Sequence, residues 1–507
     1  MKIIKKFKML VVAVFLFFIV GNVSAATTIT VDNGQPLESD PQSYLVTNTG
    51  ELRVDGIQTG DALSAYRILD TYYNESTNQI SYDFTDDFKG FLAQSSTYRD
   101  MTVETYQGLT SGSITSGSTT SQSTLDALAS AYAAYIKKNT VTASATVLNV
   151  SGNTASATLP AGAYLVLPTE TTRIYAVMVG NIEFKAEDNA WNLENVTIVA
   201  KVSDARVDKK VGTTSNSEGS FGIMDTINYY ITATVPQYPT NATNKTFVVT
   251  DTMSAGLTFN GIESITIYDG ETQLNVSSDG RVMDSSMSNL VGMIEVSGQV
   301  ITFDFILDNV KSTTLKISYR ARLNASAGLG LAGGNKNGAT LQYSNDPYGT
   351  GTYTTDARNS ETTVYTYALK VLSYETGNES TVLEGATFDL YADVDLNNKI
   401  TSISTDASGT GQNIGLASGT YYLKQTKAPS GYSLLRDSIP VTISDATDEG
   451  DTGVVTVKVA ATKIGALPIT GGFGTIAFTV SGIMIIAAAI LFVVVYKRRK
   501  KEQQQTL

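Results

Sequence analysis

Apolar and polar residues alternate along most of this chain with a period of two. The alternation is clear in Ile227 to Thr234, Val300 to Leu307 and Leu315 to Ala321. It predicts β-strands that bury one face and expose the other. From 364 to 464 such strands follow one another at ordinary β-sandwich spacing. The pattern therefore predicts a mainly β protein.

One segment of the first 200 residues has helical spacing instead. Its apolar positions are Leu125, Leu128, Tyr132, Tyr135 and Ile136. Ser123-Thr124 can cap this helix, and Lys137-Lys138-Asn139 close it, so the first domain is predicted to carry an added helix. The preceding segment 111–122 is low in complexity and predicts a surface loop. A short repeat, Ala161 to Leu165 against Ser418 to Tyr422, suggests one turn shared by two domains.

Both chain ends carry an uncharged apolar run. Residues 1–25 combine lysines, the run Met9 to Val20 and small residues at the cleavage positions, which is typical of a secretory signal peptide. Near the C-terminus an apolar run of about 24 residues is long enough to cross a membrane as a helix. We predict one transmembrane helix at 472–496, with the basic tail 497–507 on the cytoplasmic side.

Composition excludes several classes of function. The formal net charge is −12, and an acidic surface argues against nucleic acid as a partner. The chain has no cysteine and no histidine, which excludes disulfides, Ser-His-Asp or Cys-His catalysis and the commonest zinc ligand. Asp393 to Asn398 resembles half of a calcium loop but lacks its Gly and distal Glu, so it is interpreted as a polar turn. We predict no metal and no cofactor.

The C-terminal segment resembles the cell-wall sorting signal of Gram-positive surface proteins. Leu467-Pro468-Ile469-Thr470-Gly471 precedes the apolar run and the basic tail in the order of that signal. The resemblance implies that a sortase cleaves between Thr470 and Gly471 and passes the Thr470 acyl group to an amine. It also implies a secreted protein that is anchored only transiently in the membrane and ends at the cell wall, in a surface pilus.

Three further motifs resemble backbone pilins of Gram-positive sortase-assembled pili. They are Leu383 to Tyr391 with Tyr421 to Tyr432, Asp251 to Phe259 with Asn337 to Pro347, and Trp191 to Lys201. The first pair is similar to a collagen-binding-protein B-type domain, which is an Ig-like sandwich, so the resemblance implies tandem Ig-like β-sandwich domains in an elongated rod. The resemblance implies an N-terminal pilin domain at 26–200, an isopeptide-forming middle domain at 201–360, a B-type domain at 361–466 and the sorting motif at 467–471.

In this family the lysine of the pilin motif attacks the acyl-enzyme made from another subunit, and the matching position is Lys201. The chemistry requires a primary amine that is neutral when it attacks. Ala200 stands where the family usually has proline, which weakens the motif but leaves the lysine. Lys209 and Lys210 are the nearest alternatives.

Many pilin domains also form an internal Lys–Asn amide bond beside a buried acid. The resemblance implies Lys209 as nucleophile, Asp251 as catalyst and Asn337 as electrophile. Alternation supports Lys209, which is in phase with Val207 and Val211, although Lys210 stays open as the alternative. Asp251 is in phase with Phe247 and Val249, and Asn337 with Ala339, Leu341 and Tyr343.

The third domain is predicted to lack such a bond. Gln425 stands where the family has its catalytic glutamate, Ser373 is read at the lysine position, and 454–463 contains no asparagine. An amide cannot donate and return a proton as a carboxylic acid does. Lys370 is a residual candidate without an obvious partner. The first domain shows no convincing triad, because Pro168 stands where a carboxylate would be needed.

These features predict the major structural subunit of a covalent pilus, not an enzyme. A class C pilin sortase would join Thr470 to Lys201 of the next copy, and a housekeeping sortase would attach the polymer to peptidoglycan. Minor pilins and host surface receptors are further candidate partners. The alternative is a wall-anchored adhesin or minor pilin that never uses Lys201. A surface hydrolase finds no support, because no motif directs acidic pairs such as Asp86-Asp87 at a substrate.

Overall fold

The computed structural model describes residues 27–110, 120–145, 148–187, 190–239, 241–352, 359–444 and 452–465. These residues form two compact units. The first comprises 27–219, 224–326 and 335–364, and the second comprises 220–223, 327–334 and 365 onward. The predicted signal peptide, sorting motif and transmembrane segment lie outside the described residues. No helix within the described ranges is long and apolar enough to cross a membrane.

The N-terminal part of the first unit is a sandwich of two sheets with a helical layer. Its strands are β1 (Val31–Leu37), β2 (Asp40–Val46), β3 (Thr49–Asp55), β4 (Ala62–Asn74), β5 (Gln79–Phe84), β6 (Asn149–Ser151), β7 (Thr154–Pro160), β8 (Gly162–Glu170), β9 (Ile174–Tyr175), β10 (Met178–Glu187), β11 (Ala190–Glu194), β12 (Val196–Val199) and β13 (Val202–Ser203). The larger sheet has the order β1-β2-β4-β8-β10-β11, with β5 paired to β4, and the smaller sheet has the order β12-β3-β7-β6. Side chains from both sheets, among them Leu52, Val54, Leu63, Tyr164 and Ile182, form the core between them.

Three helices cover the other face of the larger sheet: α1 (Asp86–Gln94), α2 (Val103–Thr110) and α3 (Thr120–Asn139). The helix predicted from periodicity is α3, which begins a few residues before its predicted cap and buries Leu128, Tyr132 and Ile136. The sequence analysis missed α1 and α2. α1 is short, but Thr85 caps it by accepting a hydrogen bond from the Phe88 N–H at 3.4 Å.

The middle part of the first unit is a second sandwich. Its strands are β14 (Arg206–Val211), β15 (Glu218–Ser220), β16 (Thr226–Thr234), β17 (Phe247–Met253), β18 (Leu257–Phe259), β19 (Thr266–Asp269), β20 (Thr272–Gln273), β21 (Asn275–Val276), β22 (Arg281–Met283), β23 (Leu290–Ser297), β24 (Val300–Phe305), β25 (Thr314–Leu323), β26 (Asn335–Tyr343) and β27 (Asn359–Tyr365). One sheet has the order β14-β16-β25-β19-β20, with β18 on β25, and the other has the order β15-β27-β26-β17-β24-β23-β22-β21. The predicted strands between 227 and 321 are all present.

The second unit contains a third sandwich. Its strands are β28 (Tyr367–Glu375), β29 (Asn378–Val382), β30 (Thr387–Tyr391), β31 (Lys399–Ser404), β32 (Thr410–Leu416), β33 (Gly419–Lys427), β34 (Ile439–Ile443) and β35 (Val454–Ala461). The two sheets are β29-β28-β32, with β35 on β28, and β31-β30-β33-β34. The first strand of this sandwich pairs in parallel with its last, from Ala368 opposite Val454 to Glu375 opposite Ala461. The prediction of tandem β domains, the first with added helix, is confirmed.

The short sequence repeat corresponds to the same hydrogen bond in two sandwiches. The Tyr164 hydroxyl donates to the Pro160 carbonyl at 2.6 Å, and the Tyr421 hydroxyl donates to the Ala417 carbonyl at 2.9 Å. In each case the tyrosine lies at the start of a strand, two residues after a glycine. The bond ties the tyrosine to the turn that precedes its strand.

Candidate functional site

The three residues of the predicted amide bond are brought together inside the middle sandwich. Lys209, Asp251 and Asn337 are each 0% exposed. Lys209 lies on β14 in one sheet, whereas Asp251 on β17 and Asn337 on β26 lie in the other. Asp251 pairs with Ala339, so Asn337 is its diagonal neighbour on the same face. The site therefore spans the interior between the two sheets.

One tyrosine hydroxyl connects all three side chains. Lys209 Nζ donates to the Tyr319 hydroxyl at 2.8 Å, and Asn337 Nδ2 donates to the same oxygen at 2.7 Å. Tyr319 in turn donates to Asp251 Oδ1 at 2.7 Å, while Asp251 Oδ2 accepts directly from Lys209 Nζ. The lysine and asparagine nitrogens thus lie within two hydrogen-bond lengths of each other. Asn337 Oδ1 is buried and has no hydrogen-bond partner among the described residues.

Burial favours the neutral form of the nucleophile. Desolvation lowers the pKa of Lys209, and the nearby Asp251 opposes that shift only in part. Lys209 Nζ also lies 5.0 Å from the ring centroids of both Tyr229 and Tyr319, which stack on each other. Burial, followed by the charge of Asp251, raises the pKa of Tyr319 well above its ordinary value. The tyrosine is therefore a neutral hydrogen-bonding group.

Sequence reasoning missed Tyr319. It lies on β25 in the inward row of Leu315, Ile317 and Ala321, where a tyrosine looks like an apolar core residue. A buried tyrosine hydroxyl usually has a polar partner, and Lys209 was already predicted to point inward, so the two together were the available signal. The neighbouring Lys210 instead forms an ion pair with Asp208 at 3.0 Å and is partly exposed.

Lys201, in contrast to Lys209, is exposed. It follows β12, and its side chain is exposed, with no ion pair or hydrogen bond to a described residue. Its backbone, in contrast, is fixed: the Ala176 N–H donates to the Lys201 carbonyl at 2.9 Å, and the Ala200 N–H donates to the Asp55 carbonyl at 2.8 Å. A free amine on a fixed backbone is accessible to an enzyme.

Across its described ranges, 365–444 and 452–465, the third sandwich holds no comparable cluster. Ser373 and Gln425 are buried, yet Ser373 Oγ and Gln425 Nε2 have no hydrogen-bond partner among the described residues. Gln425 Oε1 accepts from the Leu435 N–H at 2.7 Å. Lys370 is only partly buried. The Asp393 carboxylate accepts from the Asn397 and Asn398 N–H groups at 3.1 and 2.6 Å, so it closes a turn, and these bonds lower its pKa.

Comparison with known proteins gives matches at the C-terminal end and across the chain. Residues 370–458 match the SpaA prealbumin-like fold domain, and residues 460–503 match the LPXTG cell wall anchor motif. The trypsin-resistant surface T6 protein of Streptococcus pyogenes serotype M6 is 34% identical over 278 residues, which cover 52% of this chain. The match spans half the length of that relative, 50%.

Two solved structures share the fold. The T6 backbone pilin of serotype M6 Streptococcus pyogenes, described as a modular three-domain structure, has a TM-score of 0.64 at 23% identity, covering 82% of this chain and 99% of that one. The full-length major pilin SpaD from Corynebacterium diphtheriae has a TM-score of 0.51 at 18% identity, covering 82% and 98%. The chain therefore shares its fold with these backbone pilins of Gram-positive bacteria, and its C-terminal segment matches the LPXTG cell wall anchor motif.

Proposed function

We propose that this chain is the major structural subunit of a covalent Gram-positive pilus. A class C pilin sortase cleaves the sorting motif between Thr470 and Gly471 and transfers the Thr470 acyl group to Lys201 Nζ of the next copy. A housekeeping sortase finally attaches the polymer to peptidoglycan. The observation that carries this proposal is the amine of Lys201, which is exposed on a fixed backbone and pairs with no residue that the structure describes. The chain is then a substrate of sortases and not an enzyme itself.

Replacing the acceptor amine tests the shaft function. Lys201→Arg keeps the charge but removes the primary amine, so we expect the ladder of high-mass species that resist boiling in detergent to disappear. Lys210→Arg is the control, since Lys210 is a nearby lysine with an ion-pair partner, and it should leave the ladder intact. An unchanged ladder in Lys201→Arg would refute the proposal. A single anchored band in the unsubstituted protein would instead indicate a wall-anchored adhesin or minor pilin.

We further propose an autocatalytic amide bond in the middle sandwich. A proton moves from Lys209 Nζ to Asp251 Oδ2, which leaves a neutral amine and a neutral acid. The amine attacks Asn337 Cγ, while the acid protonates the carbonyl oxygen, which the structure leaves without a partner. The attack forms the Nζ–Cγ bond and gives a tetrahedral intermediate. One proton then moves from Nζ to Nδ2, the Cγ–Nδ2 bond breaks and ammonia leaves, and the carbonyl oxygen returns its proton to Asp251. Tyr319 positions all three groups, and this proximity lowers the barrier.

Mass spectrometry tests the amide bond separately from polymerisation. The purified folded protein should be lighter than its sequence mass by one ammonia, and a tryptic digest should link the peptides of Lys209 and Asn337. Asp251→Asn should restore the full mass, because an amide cannot shuttle the proton. Asp208→Asn, which changes an exposed carboxylate on the same strand as Lys209, is the control and should keep the loss. A full-mass native protein would exclude the bond.

A further inference from the structure

The two most exposed large hydrophobic side chains among the described residues flank the two ends of the proposed intermolecular bond. Val199 is 73% exposed and lies two residues before Lys201, and Ile464 is 71% exposed and lies three residues before the sorting motif. Single exposed hydrophobic residues are common on protein surfaces. These two side chains, however, lie beside both ends of the proposed bond, which suggests a common role in joining copies.

On the acceptor side, Val199 and Lys201 share one face. Ile198 and Ala200 pack against the core of the first sandwich, whereas Thr197, Val199 and Lys201 are exposed, which is the alternation of an extended segment. The backbone bonds of Ala200 and Lys201 hold this segment in place. The acceptor amine therefore lies on the same exposed face as Val199.

On the donor side, Ile464 is exposed although its backbone is held. The Ile464 N–H donates to the Gly431 carbonyl at 3.0 Å. Next to it, Glu375 accepts from the Tyr432 hydroxyl at 2.9 Å and pairs with Lys463 at 3.0 Å. Leu434 lies on the paired segment and is 51% exposed. The exposure of Ile464 is therefore a property of a folded end and not of a frayed one.

The length of the connecting chain brings Val199 and Ile464 within reach of each other once the bond forms. Thr470 follows Ile464 by six residues, a span of at most about 20 Å in an extended chain. Val199 is at most about 7 Å along the backbone from Lys201. A tether this short gives the second contact an effective concentration in the millimolar range or above. Water is then readily excluded from apolar side chains that would otherwise stay exposed.

We propose that Val199 of one copy packs against Ile464 and Leu434 of the copy whose Thr470 is joined to its Lys201. The contact is heterologous, because the two copies contribute different surfaces, so it repeats along a polymer. This proposal rests on the proposed Thr470–Lys201 bond. The partner that covers Val199 is a second copy of this chain.

Footprinting of the unsubstituted protein tests the contact. Purified polymers and single copies are exposed to hydroxyl radicals, and oxidation is measured residue by residue. We expect oxidation of Val199, Ile464 and Leu434 to fall several-fold in the polymer. Val394, which is 63% exposed and far in sequence from both reactive ends, is the control and should not change. Unchanged oxidation of Val199 and Ile464 would overturn the proposal. Protection of Val199 by added sortase alone, and not in the polymer, would assign the surface to the enzyme and also overturn it.

A cysteine pair gives a second test, since the chain has no cysteine of its own. In V199C/I464C polymers, mild oxidation should consume the thiols and join the peptides of positions 199 and 464, because packed side chains lie within disulfide reach. Single copies, and V394C/I464C polymers, should keep free thiols. Free thiols in V199C/I464C polymers would contradict the contact. A failure of the proposed function itself would look different, because Lys201→Arg would then still form a ladder.

Discussion

At the scale of residues, the decisive feature is a lysine buried away from water. Lys209 is 0% exposed and pairs with the equally buried Asp251. A buried ion pair gains little net stability, because both charges lose their hydration. The proposed amide bond would remove both charges permanently, and with them the cost of keeping charged groups away from water. The proposed amide would also close a loop of roughly 130 residues, which in the chain-entropy account of cross-links is worth about 5 kcal/mol.

Asp251→Ala should make stability depend on pH. The variant cannot form the amide, and its buried Lys209 loses the only carboxylate that opposes the lowering of its pKa. Between that lowered pKa and the ordinary value of 10.5, the unfolded state binds more protons than the folded state. The free energy of unfolding should therefore rise with pH in this window, by up to about 1.4 kcal/mol per pH unit. Urea denaturation at several pH values measures it.

The double variant Asp251→Ala with Lys209→Met is the control for this slope. It removes the titrating amine and keeps a side chain of similar length, so its stability should be nearly flat between neutral pH and pH 9. Few other side chains titrate in this pH range, because the chain contains no histidine or cysteine. Equal slopes in the two variants would show that another group titrates.

Periodicity predicted which residues of the site point inward, but not how they meet. A period of two assigns Lys209, Asp251 and Asn337 to inward faces, and the structure buries all three. It could not pair those faces across two sheets, because contacts between sheets leave no local pattern in the sequence. Tyr319 was missed because its row is apolar, and only its hydrogen bonds to Lys209 in the same sheet and to Asp251 and Asn337 in the other sheet reveal its use.

At the scale of elements, the third sandwich keeps two buried polar side chains in a hydrophobic core. Ser373 on β28 and Gln425 on β33 each have an atom without a hydrogen-bond partner among the residues that the structure describes. A buried unsatisfied polar group costs about 1–3 kcal/mol. The sequence analysis predicted no amide bond here, and these two residues supply neither an amine nor an acid.

Ser373→Ala should therefore stabilise the third sandwich, by about 1 kcal/mol, since it removes an unpaired hydroxyl. Thr405→Val is the matched control: the Thr405 hydroxyl donates to the Leu383 carbonyl at 2.9 Å and accepts from the Ala386 N–H at 3.1 Å, so its loss should destabilise. Guanidinium denaturation of both variants measures the difference. A clear destabilisation by Ser373→Ala would mean that the hydroxyl has a partner.

The helices show a second limit of sequence patterns. α3 was predicted because its apolar spacing extends over several turns. α1 buries Phe88, Phe91 and Leu92, but its nine residues are too few for this apolar spacing to repeat over a second turn. Thr85 before Asp86-Asp87 is a cap with acidic residues in the first turn, and this is the signal that could have revealed it.

At the scale of the whole molecule, the covalent path of the proposed polymer would run through only part of each subunit. The path would enter at Lys201 and leave at Thr470, so residues 27–200 lie beside it. Within the middle sandwich the proposed amide connects Lys209 directly to Asn337, so the path bypasses the residues between them. The third sandwich is predicted to have no such shortcut. Its first and last strands, β28 and β35, are paired along their length by a parallel ladder.

That ladder decides how a pilus responds to tension. Pulling on the start of β28 and the end of β35 loads all of its hydrogen bonds in shear, so they must break together and not one by one. Stretching single polymers should lengthen each subunit only in steps on the order of 300 Å, the extended length of the third sandwich. Polymers of Asp251→Asn should add longer steps, because the middle sandwich can then unravel. Long steps in unsubstituted polymers would contradict this. The third sandwich would thus be the part of each subunit that lengthens under load and dissipates mechanical energy, while the rest of the fibre keeps its length.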